Sequence, residues 1–163
     1  MKLDLATTVA RYANTLATLD HLLTAGEAHG SGDDMLEWRL APDMFPLRRQ
    51  VQFVINLAVQ WASRAAGLPV PPSVEGESTL GELRTEIAKA RDTLANIGPE
   101  HFAGRDDEPL EVDLNQIKPT MPVGQWIAGF ATTNFYFHFS IVYAILRANG
   151  VPIGKRDLFA GGL

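Results

Sequence analysis

The sequence predicts an all-α fold, a four-helix bundle with up-down-down-up connectivity, and three observations predict it. Four stretches carry apolar residues at alternating spacings of three and four, the signature of amphipathic helices. The last stretch, from Val123 to Arg147, contains no Asp, Glu, Lys or Arg before Arg147 itself. Its apolar arc is roughly twice the ~100° that a helix needs to dock on one core. Between the second and third stretches lies a proline-rich segment long enough to return along the length of a helix. With 163 residues and 46% hydrophobic content, the chain fits one domain, 1–163, able to bury a core without staples.

From Leu3 to about Ala25, Leu5, Val9, Tyr12, Leu16, Leu19 and Leu23 form the core stripe of a first helix, punctuated by Gly26 and then Gly30-Ser31-Gly32. Residues 26–45 follow without a regular pattern. A connection this long packs or functions, so Met35 and Trp38 are expected to tuck against a bundle end. Pro46 suits the first turn of a second helix, with Asp43 close enough upstream to act near its N-cap. That helix runs to about Ala66. Its predicted core stripe is Leu47, Gln50, Val51, Val54, Leu57, Ala58, Trp61 and Ala65, leaving Arg49, Gln52, Asn56, Gln60 and Ser63 outward.

Residues 67–77, GLPVPPSVEGE, hold three prolines and two glycines and read as extended chain. At about 3.1 Å per residue they reach ~30 Å, the length of a 20-residue helix, which lets the third helix run parallel to the second. Thr79-Leu80-Gly81-Glu82 has the form of a capping box, starting that third helix at Leu80. Leu80, Leu83, Ile87, Ala90, Leu94 and Ile97 form its stripe, and it ends near Ile97-Gly98. In the next connection, 99–122, the alternation of Leu110, Val112 and Leu114 hints at a small β-ribbon paired with Thr120 and Met121, before the last helix.

On a 3.6-residue period, Ile127, Ala131, Asn134, His138, Ile141, Val142 and Ile145 fall on one stripe of the last helix. Phe130 and Phe137 lie along one flank, and Phe135, Phe139 and Leu146 along the other. A surplus of apolar faces predicts coverage by a second copy of the chain, a homodimer. Asn149-Gly150 caps this helix and Pro152 stops it. The tail IGKRDLFAGGL is expected to leave the bundle, anchored at most by Leu158 and Phe159, with its terminal glycines frayed.

Composition excludes several classes. Without cysteine there are no disulfides, thiolate metal sites or cysteine nucleophiles. A net charge of −5 with no large Lys/Arg cluster opposes binding to nucleic acid or anionic membranes. The N-terminus interrupts its apolar positions with Asp4 and Arg11, so it lacks a signal-peptide core and a cytoplasmic protein is expected. The uncharged stretch exceeds the ~20 residues of a membrane span, but Gln125, Thr132, Thr133, Asn134, His138 and Ser140 make it too polar for one.

The sharpest chemical feature is the pair Asn134 and His138, one turn apart on the apolar stripe. With Gln50, the one polar residue on the inward arc of the second helix, they could line a ligand pocket walled by Phe130 and Trp61. They could equally form a structural hydrogen-bond network that fixes helix register. Asp43, with Arg48 and Arg49 beyond it, offers a second candidate, an anion-binding mouth at a helix start, against the simpler reading of an N-cap and two surface arginines. Ser140 lies on the other side of the helix from His138, which argues against a Ser-His-Asp triad, and the clustered acids at 106–108 read as solvated charge.

RLAPDMFPLRRQVQ (39–52), TLGELRTEIAKA (79–90) and NFYFHFSIVYAILRANGVPIGKRDL (134–158) together resemble the bacterial domain-of-unknown-function family nineteen ninety-three. The resemblance implies a DinB-like four-helix bundle with crossover topology, often dimeric, and no activity. Metal-bearing DinB-like relatives use three histidines, one on the second helix and two a turn apart on the last. This chain departs from that pattern: the second helix has no His, and Asn134 and Val142 flank a lone His138. His21, His29 and His101 lie elsewhere, so neither metal nor cofactor is expected. The functional expectation is a dimeric, metal-free scaffold that binds a small molecule in its core; the alternative is a DinB-like enzyme, a transferase of small thiol-linked or similar substrates, working from a polar pocket at His138.

Overall fold

The computed structural model describes residues 4–162. Helix α1 (Leu5–Ala28) leads through a 3-10 turn (Gly32–Glu37) to α2 (Leu47–Ala66); an extended crossover leads to α3 (Leu80–Ala95). A second 3-10 turn (Pro99–Phe102) and an antiparallel ribbon of β1 (Pro109–Glu111) and β2 (Thr120–Pro122) follow, Leu110 facing Met121 as the alternation predicts. The fourth helix, α4, begins as an α turn (Val123–Gln125), widens into a π segment (Trp126–Ala131) and resumes as an α-helix (Thr132–Ala148). The predicted fold class holds: a mostly helical bundle with a small ribbon before its last helix.

Asp4 caps α1 by accepting from the Ala6 N–H, and the predicted capping box starts α3, with Thr79 and Glu82 bonded reciprocally. The predicted α1 stripe is buried from Leu5 to Leu23; Leu3 lies outside the described residues. Gly26 does not end that helix. It is a buried contact, where an added Cβ would meet Met35 and Leu146; Met35 is buried there as expected, joined by Leu36, while Trp38 is half-buried against the core. Asp43 is exposed, and the N-cap of α2 is Pro46, with no side-chain bond.

The second departure concerns α2. Gln52, Asn56 and Ser63, expected outward, are buried, and for Gln52 and Asn56 the cause is the crossover that lies on them. It runs back along the helix, and three glutamine and asparagine side chains one turn apart bind its main chain. Gln52 Nε2 donates to the Gly76 carbonyl (2.9 Å), and Gln60 Nε2 donates to that of Pro71 (3.2 Å). Between them Asn56 acts as an edge strand would: Nδ2 donates to the Val74 carbonyl (2.9 Å) while Oδ1 accepts from the Val74 N–H (2.7 Å). Prolines leave this segment few N–H groups, so amide donors that satisfy its carbonyls suit it. At the far end of α2, Gly67 takes the left-handed conformation (φ 69°), and Arg105 Nε donates to the Ala65 carbonyl beside it.

The third departure is the phase of α4. Ile127, Ala131, Val142 and Ile145 are buried as predicted, but between and beyond them the buried stripe runs through the flank residues Phe135, Phe139 and Leu146; Asn134, His138 and Ile141 are half-buried, and Phe137 is exposed. The π segment is the cause. Its i→i+5 bonding takes more residues per turn, so over six residues the helix lags by about the 100° of one α residue, and the inward face moves one position along the chain. Trp126 Nε1 fixes the start of this segment on the Leu110 carbonyl (2.8 Å), and Thr132 fixes its end on the Tyr12 hydroxyl (2.7 Å). Burial raises the Tyr12 hydroxyl to about 12.

The tail does not leave the bundle. A 3-10 helix (Lys155–Phe159) folds back on α1, Asp157 Oδ1 meets His21 Nε2 (2.8 Å), and the Gly161 N–H donates to Thr18 Oγ1 (2.9 Å). Any Cβ at Gly161 would collide with the Asn14 carbonyl and Ala17.

Because Asn56 makes both halves of the Val74 pair, Asn56→Ala should lower stability by about 2 kcal/mol, more than Gln60→Ala at the half-exposed end of the ladder. Urea denaturation of the two variants checks this; an equal or reversed ranking would show that the crossover is not held by its centre.

Candidate functional site

The structure brings Gln50 and His138 together. Gln50 is buried on α2, and its Nε2 donates to the Phe45 carbonyl (3.2 Å), which turns Oε1 toward α4. That oxygen lies 2.7 Å from His138 Nδ1, so Nδ1 carries the hydrogen and Nε2 keeps its lone pair, with no protein partner among the described residues. The imidazole lies over Phe53 (4.6 Å between centroids) and beside the edge of Phe137 (5.1 Å). Phe53 in turn meets Phe45 (5.3 Å), and the Arg49 guanidinium sits 4.5 Å from the Phe53 ring centre. Four rings, Phe45, Phe53, His138 and Phe137, thus form a line across α2 and α4.

The other predicted residues are not joined to this pair. Asn134 Nδ2 bonds its own helix, at the Phe130 carbonyl (2.7 Å). Trp61 and Phe130 lie together in a separate aromatic cluster with Trp126, their centroids 5.5 to 5.7 Å apart. Arg64 lies over the Trp61 ring (5.2 Å) and carries its charge at a desolvation cost that lowers its pKa. Asp43 stands exposed in the turn before α2, while Arg48 pairs with Glu37 and Glu77. Phe45 and Phe53 were not singled out from the sequence: Phe45 lies in the turn before α2 and folds back onto Phe53 of the helix, a contact that helical spacing does not announce.

The three-histidine site implied by the DinB resemblance does not fit these residues. His138 spends Nδ1 on Gln50, Asn134 spends its amide on Phe130, and Val142 is fully buried apolar surface. His21 binds Asp157, and His29 and His101 lie at α1's C-cap and in the second 3-10 turn. Among the described residues no group of three or more His, Asp or Glu side chains could hold a metal ion.

On the other side of α4, a cleft of about 260 Å³ opens between α1, α4 and the tail. Arg11 and Thr15 come from α1, Tyr136 and Phe139 from α4, and Leu158 and Phe159 from the tail. The tail was expected to leave the bundle; folded back, it makes this cleft, and no local pattern announces it.

Burial holds the His138 imidazole below its ordinary value of 6.5. The unfolded chain therefore takes up a proton first as pH falls, and this residue's contribution is intact above about pH 6.5 and lost below it. Melting temperatures measured from about pH 8 to pH 5 should decline on the acid side, and His138→Gln should flatten that decline. Parallel profiles for the two proteins would assign the acid sensitivity elsewhere.

Residues 5–159 match the family described as Domain of unknown function (DUF1993). The fold is similar to that of a DinB family member protein from Shewanella denitrificans, known from its crystal structure, with a TM-score of 0.84. The two sequences are 31% identical over 92% of this chain and 88% of that one. Among curated proteins, none matches.

Proposed function

The chain belongs to the DUF1993 family and shares the fold of DinB-like bundles, and from that premise we propose that it works as a metal-free homodimeric scaffold joined through the α2–α4 face. One observation carries the reading: Phe45, Phe53, His138 and Phe137 run in unbroken ring contact, and the outer two are 56% and 52% exposed. Exposed aromatic surface of this kind costs free energy in water, and aromatic residues dominate the centres of protein interfaces. In a two-fold dimer the line meets its own copy, so one patch covers both protomers. Each protomer is a single domain over 1–163 of a bacterial cytoplasmic protein, and the acidic net charge keeps it from nucleic acid and membrane. No helix among the described residues is long and apolar enough to cross a membrane. A small molecule bound beside His138 completes this role, with Gln50 holding the imidazole in one orientation.

A second reading has its own observation. Gln50 fixes the tautomer of His138, leaving Nε2 as a basic nitrogen, and burial keeps the ring neutral near pH 7. That is the state a general base requires, and it favours a DinB-like transferase of small thiol-linked or similar substrates. A thermal-shift screen of wild type and His138→Ala against thiols and their thioesters separates the two. Shifts lost in the variant together with turnover support the enzyme; shifts without turnover support the scaffold.

For the dimer, sedimentation at micromolar concentration should give twice the 17.8 kDa chain mass. Phe137→Ser and Phe45→Ser should move the protein toward the monomer while each variant keeps its helical signal. A wild-type mass of one chain, or dimers untouched by both changes, would end this proposal.

A further inference from the structure

The cleft between α1, α4 and the tail has a composition that its surroundings do not explain. Its walls are apolar, with Phe139 buried at the base and Leu158 and Phe159 supplied by the tail. Phe159 is 49% exposed, although the segment carrying it is tied down on both sides, by Asp157 at His21 and by Gly161 at Thr18. Four polar residues border these walls, Arg11, Asn14, Thr15 and Tyr136, and the Thr15 hydroxyl is taken up by the Arg11 carbonyl. The Arg11 guanidinium makes no ion pair among the described residues, in contrast to Arg48, Arg84 and Arg105, each bound to one or more carboxylates. The Tyr136 hydroxyl likewise makes no hydrogen bond among them, while its ring packs edge-on against Phe135. The chain carries 19 acidic residues, yet none lines this cleft.

We infer that the cleft is a binding site for a small amphipathic monocarboxylate, its apolar body against Phe139, Leu158 and Phe159 and its carboxylate at Arg11 and Tyr136. A carboxylate is the group that a planar guanidinium recognises best, and a phenol adds a second donor. Size supports a small ligand, because a volume of about 260 Å³ lies at the lower end of small-molecule sites, enough for one aromatic ring or a short alkyl chain with its acid group. The site is independent of the dimer face: Tyr136 precedes His138 by two residues, which puts it roughly 160° around the helix. A monomeric protein could bind the acid, and a dimer could lack it, so the two proposals fail separately.

Phenylacetate and hexanoate, with phenylacetamide and hexanamide as their uncharged counterparts, test it by titration calorimetry on the whole chain. Either acid should bind one per chain with a Kd below about 1 mM, and the matching amide about tenfold more weakly. Arg11→Ala, at an exposed position that leaves the core intact, should weaken the acids by about tenfold and leave the amides unchanged. Phe159→Ala should weaken both. Saturable binding of neither acid, or acid binding that survives Arg11→Ala, overturns the inference. Chemical shift changes in a labelled sample locate the contact: perturbations at Arg11, Tyr136 and the tail support it, and perturbations confined to the α2–α4 face refute it.

Discussion

The π segment at the head of α4 governs what the rest of that helix presents to its neighbours. Six residues wound one position behind an α-helix hand the core to Phe135 and Phe139 and carry Asn134, His138 and Phe137 toward the boundary. The segment is not left to local preference, because each end is bonded to another part of the molecule: Trp126 to the ribbon and Thr132 to Tyr12 of α1. Tyr12 is fully buried, and a second tie joins its ring to Phe135, 4.5 Å away, at the residue where the new phase begins. Undoing the wide turn would draw His138 inward and push Phe135 and Phe139 into water, so the winding and the core choose each other.

Much of the fold was legible in the sequence because its signals are local. The stripes of α1 and α3, the Thr79 capping box and the Leu110–Met121 ribbon each depend on residues within a few positions. The phase of α4 was not legible, since a 3.6-residue period assumes that every turn has the same number of residues, and a π turn carries no compositional mark. The amides of α2 misled for another reason. Gln52 and Asn56 are polar side chains on a face that another segment covers, and polarity alone cannot tell water from a row of carbonyls. The tail misled in the same way, through contacts more than a hundred residues apart in sequence.

The candidate site was partly legible. Gln50 stood out as a polar residue on an inward arc, and it does meet His138. Asn134 and His138 looked like a pair because they are one turn apart, yet side chains on one helix stripe need not face each other; Asn134 turned back to a carbonyl of its own helix. Where DinB-like metal sites join the second and last helices through an ion, this chain joins them through one amide–imidazole hydrogen bond. A glutamine needs neither deprotonation nor a free cation to make that bond, so the link persists where metal is scarce.

The amide ladder under the crossover has a consequence for how this chain tolerates change. Gln52, Asn56 and Gln60 grip backbone carbonyls, and from the crossover Ser73 and Ser78 add side-chain bonds to them. A grip on main-chain atoms is indifferent to the letters at the outward positions: Val70, Pro72 and Glu75 are exposed, while Leu68 and Val74 pack on the core and Gly76 takes a positive φ of 85°. Length is a different matter. Removing a single residue moves every later carbonyl by about 3.3 Å, off the 5.4 Å rhythm of the helix turns that hold it. The crossover is therefore a ruler whose graduations matter throughout and whose paint matters only where it faces inward or turns, as at Leu68, Val74 and Gly76.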